Sequence, residues 1–249
     1  SAGNTGRAFS HFCGMDGTPL IDVVGKDHAE RLWARPENNA ESVYLVVVED
    51  GDYYDAKTVA KGIGARLEGW QMEGSVHNVA RRDGIGSIML DAAFTIGQLP
   101  DHYFQGIGGG PGPIGIHEMA QRLIDEGLFE GPVPVQHVSQ NVEHHPIHSA
   151  WQDQRDHLVS EDFPEEEVEV YSDYLLNKGP AYGQVGAVHD ILKASNGHTH
   201  IVEREDAIAM RELIESVEGI DIMTPGAVAA VSLVQAVNDG RVSSNDCVV

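Results

Sequence analysis

Short apolar runs alternate along the chain with stretches whose apolar positions recur every three to four residues. Residues 18–24 and 42–49 read as strands. The second carries Val43-Tyr44-Leu45-Val46-Val47-Val48, apolar at successive rather than alternate positions, which predicts a strand covered on both faces inside a parallel sheet. Helical spacing runs over 52–67 and again over 84–97, 114–126, 184–194, 204–217 and 226–237, with strands expected at 103–107, 133–139 and 200–202. This succession of strand and helix predicts an α/β fold with parallel strands. Residues 158–180 break the rhythm. They are acidic and bounded by proline, and are expected to form an inserted surface excursion.

Composition narrows the function. The chain has 249 residues, with 16 basic and 39 acidic side chains, for a net charge of −23. Nucleic acid and anionic lipid surfaces would repel such a molecule, so neither is expected as a partner. Only five basic residues are lysines (Lys26, Lys57, Lys61, Lys178 and Lys193). The pattern suits a halophilic surface, because a Debye length of about 3 Å in molar salt removes most self-repulsion. Cys13 and Cys247 stand far apart in the chain with no second pair, which suits a reducing, cytoplasmic setting. The most apolar stretch, 227–237, is short and interrupted by Ser232 and Gln235, so no membrane span is expected. The chain opens on Ser1-Ala2-Gly3-Asn4-Thr5-Gly6 and closes on Asp246-Cys247-Val248-Val249, which reads as a strand stopped midway. It is therefore expected to be truncated at both ends.

Two loops carry candidate chemistry. Gly106-Ile107-Gly108-Gly109-Gly110-Pro111-Gly112-Pro113-Ile114 lies between an expected strand and an expected helix. Glycines let the backbone approach an anion, and a helix start supplies free N–H groups and the positive end of a dipole, so the segment reads as a phosphate cradle. Gly110, Gly112 and Gly115 formally satisfy the dinucleotide spacing G-x-G-x-x-G, but Pro111 and Pro113 remove two donors and no acid ends the next strand. A Walker loop is excluded by the absence of Gly-Lys-Ser/Thr. The second loop, Ser1 to Arg7, places small polar side chains among glycines at a helix start, where they can cap the helix or hold a carboxylate.

Taken together, the two loops resemble the fold type II pyridoxal-phosphate (PLP) enzymes, the tryptophan synthase β-like superfamily. Ser1 to Phe9, Asn78-Val79-Ala80-Arg81-Arg82-Asp83-Gly84, Leu99-Pro100-Asp101-His102-Tyr103-Phe104, Ser139-Gln140-Asn141 and Glu218-Gly219-Ile220-Asp221 look most like its cysteate synthase and threonine synthase branch. The resemblance covers nearly the whole chain. It implies a three-layer sandwich with parallel-rich sheets in two domains, 1–95 with the asparagine loop and 96–249 with the phosphate turn. It implies pyridoxal 5'-phosphate as cofactor, with Asn4 at its 3-hydroxyl and Gly108, Gly109, Gly110 and Gly112 at its phosphate. Ser1, Gly3 and Thr5 would surround the carboxylate of an amino acid substrate. The sequence departs from the family at Pro111 and Pro113, which leave fewer backbone donors for the phosphate. No lysine here has the Ser-x-Lys-x-Arg setting of the Schiff-base lysine, which the resemblance places outside the chain, so the chain alone is not expected to catalyse. The whole enzyme, expected to be a homo-oligomer, would perform β- or γ-replacement or elimination on a phosphorylated amino acid. O-phosphoserine plus sulfite fits the cysteate synthase pattern; O-phosphohomoserine plus water fits the threonine synthase pattern. The competing reading is a non-catalytic phosphate- or nucleotide-binding α/β module.

The remaining constellations have plainer readings. Arg81 and Arg82 suit either a substrate oxyanion or a solvated basic pair, and the solvated pair is favoured. His144, His145 and His148 are interrupted by Pro146 and have no neighbouring cysteine, so no metal is expected. His198 and His200 share one face of a strand, expected to be a surface face.

Overall fold

The computed structural model describes residues 3–32, 40–51, 53–166 and 168–249. They form two compact units, Ser1–Glu73 and Gly74–Val249. In the first unit α1 (Asn4–Asp16) and β1 (Leu20–Gly25) are followed by β2 (Val43–Val48) and α2 (Tyr53–Gly64). β1 and β2 pair in parallel, Leu20 opposite Val43 through Gly25 opposite Val48. β2 was expected to be covered on both faces. Instead Tyr44 is 58% exposed and Leu45 46%, because the sheet described in this unit has two strands and its helices leave part of β2 uncovered.

The second unit begins with α3 (Val79–Ile96), which starts five residues earlier than the periodicity predicts because Asn78 caps it, accepting from Arg81 N. α3 packs on α4 (Pro111–Asp125), so the units part at 73/74, ahead of the 95/96 limit drawn above. β3 (His102–Gly106), β4 (Val135–Asn141) and β5 (His198–Val202) form a parallel sheet in that order, and Cys247 to Val249 run parallel beside β3. Side chains alternate across the strands. Val138 packs with residues of α4, α5 (Pro146–Gln152) and α6 (Val188–Ala194) on one face. Val202 packs with α7 (Arg204–Glu218) and α8 (Thr224–Asn238) on the other. This is the expected three-layer α/β/α arrangement.

The acidic stretch 158–180 is only partly a surface excursion. Glu165 and Glu166 are exposed, but Asp162 is buried against Arg155, and Ser172 and Leu175 are buried as well. Among the described residues no helix is long and apolar enough to cross a membrane.

Candidate functional site

β3 ends at Gly106 and α4 begins at Pro111, so the glycine segment is a tight turn between a buried strand and a helix. Ile107 anchors it, donating its N–H to Ser139 O at 2.8 Å and packing in the core. Gly110 caps α4 with φ +105°, a conformation that favours glycine. The helix starts three residues before the expected Ile114. Pro111 and Pro113 permit this, because their fixed φ suits the first turn and their missing N–H groups would have had no helical acceptor there. Ile114 N already bonds to Gly110 O. Among the described residues none accepts from the N–H groups of Gly108, Gly109, Gly110 or Gly112.

Space around the turn admits no side chains. A Cβ on Gly108 would stand 3.1 Å from Tyr174 O, and one on Gly112 would collide with the Gln105 amide. Backbone donors without internal acceptors, at the positive end of a 15-residue helix, fit a phosphate group. Gly115, the third glycine of the formal dinucleotide spacing, serves another purpose. A Cβ there would meet Arg82 O at 2.6 Å, so it lets α3 and α4 approach.

The end of β4 supports the turn. Ser139 Oγ donates to Gln105 O at 3.3 Å. Gln140 Oε1 accepts from Ile147 N and His148 N, satisfying two free donors at the start of α5. The Asn141 amide exchanges two 3.0 Å hydrogen bonds with the backbone of Ser172. None of these roles was assigned to Ser139, Gln140 or Asn141 from the sequence; the available signal was the run of three polar residues that closes the strand.

The second candidate loop lies in the first unit. Gly3 caps α1 without a side-chain hydrogen bond; Asn4 is exposed and accepts from Arg7 Nη1 at 3.2 Å; Thr5 is half-buried. Ser1 lies outside the described residues. Arg82 is not a solvated basic residue: it donates to Glu118 at 2.8 Å and to Val76 O, tying α3 to α4 and to the preceding turn.

The histidines depart furthest from expectation. His102 Nδ1 lies 3.0 Å from His137 Nε2, and His137 Nδ1 lies 3.0 Å from His200 Nε2, forming a buried row across β3, β4 and β5. Phe104 stacks on His137 with ring centroids 4.1 Å apart. His102 Nε2 faces Asp246 at 3.5 Å, and the other end of the row meets Gln235 of α8. His200 was expected on a surface face, but α8 covers that face of the sheet. Burial, helped by the neighbouring imidazoles, pushes His137 down to about 2; burial dominates at His200 and brings it to about 4. His148 Nδ1 pairs with Thr199 Oγ1 at 2.9 Å, and His144 Nε2 with Asn177 O at 3.1 Å. Among the described residues no group of three His, Cys, Asp or Glu is placed to hold a metal.

An α/β sandwich with a phosphate-fitting glycine turn after a sheet strand is the setting of a PLP enzyme, and the pyridoxal-phosphate dependent enzyme family matches residues 1–249. The chain belongs to that family, whose cofactor is pyridoxal 5'-phosphate. Among curated proteins it is similar to cysteate synthase of Methanosarcina barkeri, 43% identical over the whole chain and 61% of the relative. Cysteate synthase of Methanocella arvoryzae gives the same identity and coverage. The chain thus spans about 61% of the length of these relatives. Among solved structures, a PLP-dependent aspartate racemase superposes with TM-score 0.71 at 14% identity, over 100% of this chain and 69% of that one. Maize serine racemase gives TM-score 0.69 at 12% identity, with the same coverage. These distant likenesses show the fold.

Proposed function

We propose that the whole protein is a cytoplasmic, homo-oligomeric cysteate synthase: the C–O bond of O-phosphoserine breaks, phosphate departs, and sulfite forms a C–S bond at the same carbon. The observation that carries this reading is the glycine turn with four N–H donors from which no described residue accepts, in a chain whose entire length aligns at 43% identity with proteins bearing that name. Bound PLP supplies an electron sink that labilises the α-proton and the β-substituent. The chain's own residues bind and orient. Gly108, Gly109, Gly110 and Gly112 hold the cofactor phosphate, with the α4 dipole opposing its charge. Asn4 meets the 3-hydroxyl, and Ser1, Gly3 and Thr5 surround the substrate carboxylate. The acidic surface supports a halophilic setting.

The test uses the purified full-length protein loaded with PLP. O-phosphoserine plus sulfite should yield cysteate and phosphate in equal amounts. Threonine from O-phosphohomoserine, with no cysteate from the first mixture, would overturn the assignment in favour of a threonine synthase.

A further inference from the structure

A second segment lies over the glycine turn. Residues 172–181 are held at the start by the Asn141–Ser172 pair and by Thr224 Oγ1, which donates to Ser172 Oγ at 3.0 Å. They are held at the end by Ala181 N, which donates to Gly109 O at 3.0 Å. Midway, the Asn177 carbonyl faces His144 Nε2 at 3.1 Å, and Asn177 Oδ1 accepts from Gly179 N at 2.9 Å. A backbone N–H can only donate, so the side-chain atom facing Gly179 is the oxygen and the other end is the NH2 group. That Nδ2 points to the turn: a Cβ on Gly109 would stand 3.0 Å from it. No described residue accepts from it.

His144 fixes the arrangement from beneath. A carbonyl only accepts, so Nε2 carries the proton and Nδ1 is left with a lone pair, buried and without a partner among the described residues. At 3% exposure the ring is immobilised, and burial holds its pKa below the ordinary value, which keeps this neutral tautomer.

We propose that Asn177 is a further ligand of the oxyanion at the glycine turn, donating from Nδ2 to the cofactor phosphate, with His144 as the positioning residue behind it. The inference rests on the reading of the turn as the PLP phosphate site. It also accounts for the departure at Pro111 and Pro113: two backbone donors are missing, and a side-chain amide from another segment stands beside the remaining ones.

The full-length protein is compared with its variants by fluorescence titration of PLP and by phosphorus NMR of the bound phosphate. Asn177→Ala is expected to weaken PLP binding about tenfold and to move the phosphate resonance. Asn177→Asp retains the shape and the bond from Gly179 N but turns an acceptor toward a dianion, and should weaken binding about 100-fold, less so in high salt. His144→Ala should give a smaller loss, recovered in His144→Gln, whose amide can donate to the same carbonyl. Unchanged affinity and resonance in Asn177→Ala overturn the proposal. A raised KM for O-phosphoserine with cofactor binding intact overturns it too, assigning the amide to the substrate's oxyanion. Gly112→Ala separates the two levels. If it weakens PLP binding while Asn177→Ala does not, only this inference has failed; if neither variant affects PLP binding, the reading of the turn has failed with it.

Discussion

In the first half of the three-stranded sheet, buried polar groups face one another. His137 donates from one ring nitrogen and accepts at the other, and its neighbours His102 and His200 pass the pattern on toward Asp246 and Gln235. At the opposite end of the same strands, Gln140 and Asn141 spend their amides on holding α5 and the segment after Ser172, and the donors they frame on Gly108, Gly109, Gly110, Gly112 and Asn177 have no acceptor among the described residues. A closed polar network accounts for its own burial and needs no ligand. An open one, built on well-anchored elements, is what a binding site requires.

Acid should expose the closed network most strongly. Unfolded histidine titrates near pH 6.5, whereas burial holds His137 at about 2 and His200 at about 4 in the fold. Below pH 6.5 the unfolded chain therefore binds protons that native His137 and His200 refuse, so stability is full above that pH and is lost as pH falls toward the native values. By pH 4 the loss is of the order of several kcal/mol, a large share of the stability of many domains. The groups facing the two rings are His102, His198, Arg241 and Asp239, with Asp246 beside His102; neither carboxylate touches His137. Urea midpoints measured between pH 7.5 and pH 4.5 should fall steeply. A flat profile would mean that the row accepts protons in the native state.

His137→Leu breaks the row at its centre. The volume is nearly kept, but His102 Nδ1 and His200 Nε2 lose their partners at once, for a cost of about 2–4 kcal/mol at pH 7.5. Half of the acid sensitivity should vanish with the ring, while PLP affinity changes less than about twofold. Denaturant titration at two pH values, with cofactor titration of the same samples, checks both halves of this expectation.

The two networks were not equally legible in the sequence. The glycine turn announces itself locally, since apolar strand, glycines and helix follow one another within 102–125, and the structure places β3, the turn and α4 there. Only the helix start was misjudged, because Pro111 and Pro113 read as a loop when they occupy first-turn positions. The histidine row has no local signature. Its members come from three strands, and they meet because Phe104 stands opposite His137 and His137 opposite His198, a register set by pairing across the sheet. Asn177 was hidden for a related reason. Its acidic neighbourhood reads as surface, and the anchors that bring it to the turn, Asn141, His144 and Gly109, lie more than 30 residues away in sequence.

The smallest expected change sharpens the contrast most. Asn177→Ala removes one hydrogen bond in a half-exposed loop, from Gly179 N, and a donor that no described residue accepts. Its cost to the stability of the cofactor-free protein should stay within about 0.5 kcal/mol, because the exposed Gly179 N–H can turn to water and the Nδ2 donor leaves no partner behind among the described residues. The same substitution should weaken PLP binding, as argued above, so the thermal stabilisation that PLP confers shrinks although the apo midpoint hardly moves. His137→Leu and Asn177→Ala thus predict opposite pairs of outcomes: one lowers the apo midpoint and spares the ligand, the other spares the midpoint and costs the ligand. Melting curves of both variants with and without PLP decide the matter. If Asn177→Ala lowers the apo midpoint as much as His137→Leu does, the donors around the glycine turn belong to the scaffold, and the distinction between a closed and an open end of this sheet is lost.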